Sequence, residues 1–207
     1  MAEATHREIL LVPHLFRASN IHSAARAAEM LQDAGITVRL LEQEQMEAIE
    51  TNPVLCGLTR AVADDDAAAG CELVLVLGGD GTFLRAASYA HAQNIPVLGI
   101  NLGHVGFLAE GEASSLEKVV GQVIDRSYRV VDRMTLDVAV IGDGGEVLGR
   151  SWALNECSIE NSDRSRVLDA TLEVDFRPVS SFGCDGVLIS TPTGSTAYAF
   201  SAGGPVM

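Results

Sequence analysis

Four short stretches carry residues whose types and spacing could do chemistry. The first is GGDGT at 78–82, where an unbroken apolar run, LVLVL at 73–77, stops at two glycines, an aspartate and a third glycine. Gly78, Gly79 and Gly81 admit backbone angles closed to other residues and let a ligand approach the main chain. The amides of the turn, through Thr82, can cradle phosphate oxygens, and Asp80 is its only charged side chain. The stretch matches neither G-x-x-x-x-G-K-[ST] nor G-x-G-x-x-G, so both standard nucleotide-loop readings fail. Taken alone, it also reads as a plain strand-to-helix turn with Asp80 capping the helix.

The second stretch, NLGHVGFL at 101–108, offers Phe107 as a surface under a base or as core, and His104 as a structural or solvated histidine more readily than a proton carrier. The third is ALNECSIE at 153–160, where Asn155 and Glu156 interrupt β-like text. Neighbouring strand residues point to opposite faces, so the pair can share one ligand only if the strand bends or ends there. An amide and a carboxylate suit a base edge and a ribose hydroxyl. The fourth, CDGVLISTPTGSTAYAFSAGG at 184–204, gathers Thr191, Thr193, Ser195 and Thr196 around Pro192 and Gly194, with Tyr198 as a flat stacking surface just beyond. Such a cluster offers many donors and acceptors without charge.

These residues need elements to position them. ILLV at 9–12, ITVRLL at 36–41, LVLVL at 73–77 and IPVLGI at 95–100 read as buried strands. Helices are predicted at about 21–34, 82–93 and 115–126, the first ended by Gly35, the second with Phe83, Ala86, Ala87 and Ala90 on one face. Strand and helix alternate, which predicts an α/β layer with a parallel sheet and right-handed crossovers. The first two chemical stretches then fall side by side at the carboxyl ends of adjacent strands, where ligand crevices form. Residues 42–70 are ambiguous, with a helical part, and Asp64, Asp65 and Asp66 read as a solvated loop.

Beyond Tyr128 the period becomes two. Leu136, Val138 and Val140 alternate with polar or small residues, IGDGGEV supplies a hairpin turn, and Leu168, Ala170, Leu172, Val174 and Phe176 alternate with Val167, Asp169, Thr171, Glu173 and Asp175. The fold class expected is therefore an α/β domain over 1–127 followed by an all-β, sandwich-like domain over 128–207.

Composition narrows the functions. The chain has 207 residues, 47% of them hydrophobic, enough for a substantial core. A formal charge of −14 argues against a nucleic-acid partner, which would need clustered Lys and Arg, but not against a small phosphorylated ligand held by amides and a metal ion. No run approaches the roughly 20 apolar residues of a membrane span, and the N-terminus lacks a cleavable leader pattern, so a cytoplasmic location without membrane partners is expected. Cys56, Cys71, Cys157 and Cys184 form no C-x-x-C pair and read as buried free thiols, not zinc ligands or nucleophiles.

Taken in order, GGDGT, NLGHVGFL, the Asn155–Glu156 pair and DGVLISTPTGSTAY resemble the NAD kinase family, with an actinobacterial cast, and the likeness runs from the first strand to the last residue. GGDGT alone is shared with lipid kinases and phosphofructokinases; the other three are more specific. The resemblance implies phosphorylation of the adenosine 2′-hydroxyl of NAD by ATP or inorganic polyphosphate with Mg²⁺, giving NADP. It implies Asp80 as the base, Gly78, Gly79, Gly81 and Thr82 at the donor phosphates, Gly81 also at the dinucleotide, and Phe107 beside adenine. Asn155 and Glu156 would hold adenine and ribose, and Asp185 from a neighbouring subunit, with Thr196, Ala197, Tyr198 and Ser201, would complete the pocket. It names no protein ligand for the metal.

The family assembles as homodimers or homotetramers, and its members continue past the equivalent of GGPV with further strands. By that measure the second domain is expected to be C-terminally incomplete at Met207, with unpaired strand edges. Two rivals remain open at this point: a pyridine-nucleotide sensor that binds without transferring phosphate, and a lipid kinase.

Overall fold

The computed structural model describes residues 6–15, 18–42, 46–102, 111–112, 116–163 and 166–207, and the chain divides into two compact units, Met1–Val130 and Val131–Met207. In the first unit the elements run β1 (Glu8–Pro13), α1 (Ala18–Asp33), β2 (Thr37–Leu41), α2 (Met46–Glu50), α3 (Pro53–Cys56), β3 (Thr59–Ala61), β4 (Leu73–Leu77), α4 (Asp80–Gln93), β5 (Val97–Asn101), β6 (Gly111–Glu112) and α5 (Leu116–Ile124). All six strands pair in parallel in the order β3-β2-β1-β4-β5-β6. From β1 the chain winds outward to β3, then returns to lay β4 against the other side of β1 and winds out in the opposite direction. The carboxyl ends of β1 and β4 thus flank a topological switch point, the place where open α/β sheets form their ligand crevices.

The apolar run of β4 is buried at every position because each face of the sheet has its own cover. Leu73, Leu75 and Leu77 join Ile9 and Leu11 in a cluster with Ala24, Ala28 and Leu31 of α1 and Leu116, Val120 and Val123 of α5. Val74 and Val76 face the other way, with Leu10 and Val12, onto Ala86 and Ala90 of α4. Small alanines on the buried faces of α1 and α4 allow both helices to approach the sheet closely. Gly35, at φ +76, ends α1 in the left-handed conformation that glycine adopts without strain, and the Ile36 amide returns to Leu31 O at 3.0 Å.

The ambiguous stretch 42–70 has its helical part as the short α2 and α3, and adds the strand β3. Asn52 starts α3, its Oδ1 accepting from Val54 N at 3.0 Å and Leu55 N at 3.1 Å. The acidic trio is an exposed turn in which Asp64 Oδ1 accepts from Asp66 N at 3.0 Å. At the opposite end of the sheet from the switch point, Glu72 is bound by Arg7 and Arg126 at 2.8 and 2.7 Å and by the Tyr128 hydroxyl at 3.1 Å. Arg7 also donates to Val123 O and Ile124 O, closing the last turn of α5.

The second unit is antiparallel: β7 (Leu136–Ile141) pairs β8 (Val147–Ala153), β9 (Glu156–Glu160) pairs β12 (Gly186–Ser190), and β10 (Leu168–Val174) pairs β11 (Arg177–Cys184). A 3-10 turn over Gly194–Thr196 and the short α6 (Tyr198–Ser201) follow. One strand assignment changes: β10 stops at Val174, and Phe176 lies in the two-residue turn Asp175–Phe176, at φ +50 and +61, where it is 98% exposed. The four cysteines are free, but the expected burial holds only for Cys71, whose thiol pKa it pushes up; Cys157 and Cys184 are half-buried and Cys56 is exposed.

Candidate functional site

Gly78 follows the last residue of β4, its amide bonded to Ile100 O at 3.0 Å, while the His14 amide beyond β1 bonds Leu77 O at 2.8 Å. The glycine turn therefore stands at the switch point. Of the two reasons expected for its glycines, unusual backbone angles do not apply, since none of Gly78, Gly79 and Gly81 has positive φ. At Gly78 a Cβ would lie 2.8 Å from Thr82 Oγ1 and 3.0 Å from His14 Cβ, so close packing excludes a side chain. At Gly79 and Gly81 a Cβ would meet nothing within 4 Å, which leaves the start of α4 open to a ligand. Asp80 is half-buried and is the first residue of α4, not its cap; the cap position is Gly79, with no side-chain bond. A carboxylate in a first helical turn is favoured by the helix dipole, and a helix N-terminus suits phosphate oxygens.

β5 lies beside β4, so Asn101, buried at its carboxyl end, is brought next to the glycine turn. His104 and Phe107 lie outside the described residues. Sequence reasoning missed Asn20, which is buried and whose Nδ2 donates to His14 O at 2.8 Å, holding the segment after β1. The available signal was the position of His14 just after a buried strand.

In the second unit β8 ends at Ala153 and β9 begins at Glu156, so the strand does break at the Asn155–Glu156 pair. Asn155 Oδ1 and Glu156 Oε2 are buried, and neither finds a hydrogen-bond partner among the described residues. Unpaired buried acceptors are costly, and they ask for donors from elsewhere. The backbone beneath them is held firmly. Thr191 N donates to Asn155 O at 2.9 Å, and Thr191 Oγ1 lies 2.6 Å from Leu154 O.

Asp185 and Tyr198 line one cavity of about 920 Å³, together with Ser158, Glu160, Arg166 and Ser190. Asp185 and Ser201 are exposed, Tyr198 is 52% exposed, and Thr196 and Ala197 are half-buried. Asn155, Glu156, Thr196, Ala197 and Ser201 are not among the residues lining that cavity. Arg166 and Glu160 were not foreseen; their charges, flanking text that reads as a loop and a strand end, gave no pattern. Among the described residues no three His, Cys, Asp or Glu side chains gather as a metal site, and no helix is long and apolar enough to cross a membrane.

The family model of the ATP-NAD kinase N-terminal domain matches residues 9–128, and that of the ATP-NAD kinase C-terminal domain matches residues 154–207. The NAD kinase of Corynebacterium efficiens is 68% identical over 207 residues, covering 100% of this chain and 65% of that protein. The NAD kinase of Corynebacterium diphtheriae is 61% identical over 201 residues, covering 97% and 63%. The chain thus spans just under two thirds of the length of these relatives. In fold it is similar to yeast NADH kinase solved with NADH, at a TM-score of 0.81 and 22% identity over 98% of this chain and 62% of that one. It is also similar to an NAD kinase from Archaeoglobus fulgidus solved with ATP, at a TM-score of 0.63 and 23% identity over 98% and 67%.

Proposed function

The chain belongs to the NAD kinase family, and from that premise we propose that it transfers a phosphoryl group from ATP or inorganic polyphosphate to the adenosine 2′-hydroxyl of NAD, giving NADP. The observation that carries the reading is the pair of buried, unpartnered acceptors, Asn155 Oδ1 and Glu156 Oε2. An adenine amino group and a ribose hydroxyl are donors of the kind these oxygens lack. An acyl chain offers neither, which counts against a lipid substrate.

Asp80 orients the 2′-hydroxyl and takes its proton as the oxygen bonds to phosphorus and the bond from that phosphorus to the donor's bridging oxygen breaks. Phosphoryl transfer passes through a loose transition state, so positioning and charge neutralisation contribute more than early deprotonation. The start of α4, where a Cβ at Gly79 or Gly81 would meet nothing, holds the donor phosphates, with Gly78 and Thr82 shaping the turn behind it. No Lys or Arg lies in GGDGT, so Mg²⁺ accompanying the donor supplies the neutralising charge. Phe107, Tyr198, Thr196, Ala197 and Ser201 are assigned to the dinucleotide. Asp185 is assigned to a neighbouring copy's pocket in a homodimer or homotetramer, which light scattering after size exclusion would read.

The test is incubation with NAD, ATP and Mg²⁺, with NADP measured through an NADP-specific dehydrogenase. NADP should accumulate in proportion to enzyme. Tight NAD binding without NADP would replace the kinase by a sensor.

A further inference from the structure

Resting on the kinase reading, we infer that Thr191 is a positioning residue that sets the Asn155–Glu156 corner for the nucleoside of the acceptor. The β9–β12 ladder ends at the pair Glu156 and Ser190, and Thr191 is the next residue along. It is completely buried and sits where three pieces of chain converge. Its amide donates to Asn155 O at 2.9 Å. Its hydroxyl donates to Leu154 O at 2.6 Å and accepts from Gly194 N at 3.0 Å. Asn155 O also lies 3.1 Å from that hydroxyl, but a hydroxyl has one proton and the shorter contact takes it.

The loop this hydroxyl ties down rests directly on the corner. A Cβ at Gly194 would fall 2.0 Å from Asn155 O and 2.3 Å from its carbonyl carbon, so residue 194 must be glycine for the loop to lie there. Ser195 Oγ, buried, donates to Pro192 O at 2.7 Å and tightens the same turn. All of this holding is spent on the backbone of Leu154 and Asn155. The side-chain oxygens Asn155 Oδ1 and Glu156 Oε2 remain unpartnered among the described residues, aimed for use by something else. A core position would need only the shape of threonine, which valine shares; the positions of Leu154 O and Gly194 N require the hydroxyl.

Thr191→Val keeps the shape and removes the hydroxyl, and Thr191→Ser restores it. In the full chain, Thr191→Val should raise the KM for NAD about tenfold and leave the KM for ATP within about twofold, because a buried backbone acceptor and donor lose their partner beside the acceptor site only. Thr191→Ser should stay within about threefold of the unaltered enzyme. Amide hydrogen exchange at Gly194 should quicken in Thr191→Val and not in Thr191→Ser. An unchanged KM for NAD in Thr191→Val overturns the inference, as does an equal rise in both KM values with a lowered Tm that serine fails to repair. If the unaltered protein makes no NADP, the kinase reading falls separately, and NAD titration calorimetry decides Thr191. Binding weakened about tenfold by valine and kept by serine then upholds its role, and equal binding in all three proteins, or none, overturns it.

Discussion

In the first unit β4 is buried at all five positions from Leu73 to Leu77, whereas in the second β8 is exposed at every position from Val147 to Ser151. The first segment is wholly apolar and the second mixes Val147 and Leu148 with Gly149, Arg150 and Ser151, and the topology differs too. A parallel sheet must cross over through helices, and those helices cover both of its faces. A two-stranded antiparallel ribbon closes through a tight turn and brings no cover with it, so Val140, Ile141, Leu148 and Phe182 stay exposed within their unit. Order in the second unit comes from register, turns and the hydrogen bonds around Thr191. The chemistry divides in the same way. The first unit presents a carboxylate, Asp80, at the start of a helix on a buried sheet; the second presents an amide and a carboxylate, Asn155 and Glu156, at a strand break.

The comparison is tested hardest by paired truncations. Leu75→Ala, in a fully buried site, should cost about 2–5 kcal/mol in urea unfolding, and Leu148→Ala, at a site 65% exposed, less than about 0.5 kcal/mol. Equal costs would mean that the exposed ribbon is covered in solution. Next in size, Asp80→Asn should lower kcat roughly 100-fold or more, about 2.7 kcal/mol in transition-state terms, with NAD binding and unfolding midpoint unchanged. A loss of stability instead would make Asp80 part of the platform and not its chemistry.

At the far end of the same sheet, Glu72 is held by Arg7, Arg126 and Tyr128. The hydrogen bond from Arg7 leads in holding its carboxyl at about 2, below the ordinary 4.5, against the opposing effect of burial. A carboxyl lowered on folding binds its proton more weakly in the native state than in the unfolded chain. Its contribution is therefore complete above pH 4.5, falls away as pH drops, and is gone below about pH 2. Glu72→Gln should cost about 1–3 kcal/mol at pH 7, flatten the acid limb of the stability profile, and leave kcat alone, since the switch point is at the other end of β4. A shifted kcat would show that the two ends of the sheet are coupled.

The same contrast explains what the sequence made legible. The buried strands and α4 announce themselves because a five-residue apolar run and a 14-residue helix each repeat their period long enough to be read. Helices α2 and α3, of five and four residues, complete too few turns to show one, and only Asn52 before Pro53 hinted at a start. The glycine turn was found by composition and explained in part: the main chain is unobstructed at Gly79 and Gly81, but no positive φ is used, and Gly78 answers to Thr82 and His14 packed against it, neighbours that only the folded sheet brings there. Thr191 was visible only as one hydroxyl among several. Its acceptor, Leu154 O, is a backbone atom 37 residues away, and no side-chain pattern encodes such a partner.

Phe176 gives the smallest expected effect and separates local strain from hidden contact. Alternation placed it in β10, but the register pairs Val174 directly with Arg177, leaving Asp175 and Phe176 as a two-residue turn with both φ values positive. Such turns favour a glycine at the second position, because a Cβ is strained there by about 1–2 kcal/mol. Glycine gives back part of that through the greater freedom of the unfolded chain, about 0.5–1 kcal/mol. With the ring 98% exposed, little packing is lost, so Phe176→Gly should raise stability by about 0.5 kcal/mol. A fall of 1 kcal/mol or more would mean that the ring is buried against another surface in solution. The exposed face of this ribbon would then be an occupied one, and the contrast between the two units would shrink to a difference in what covers them.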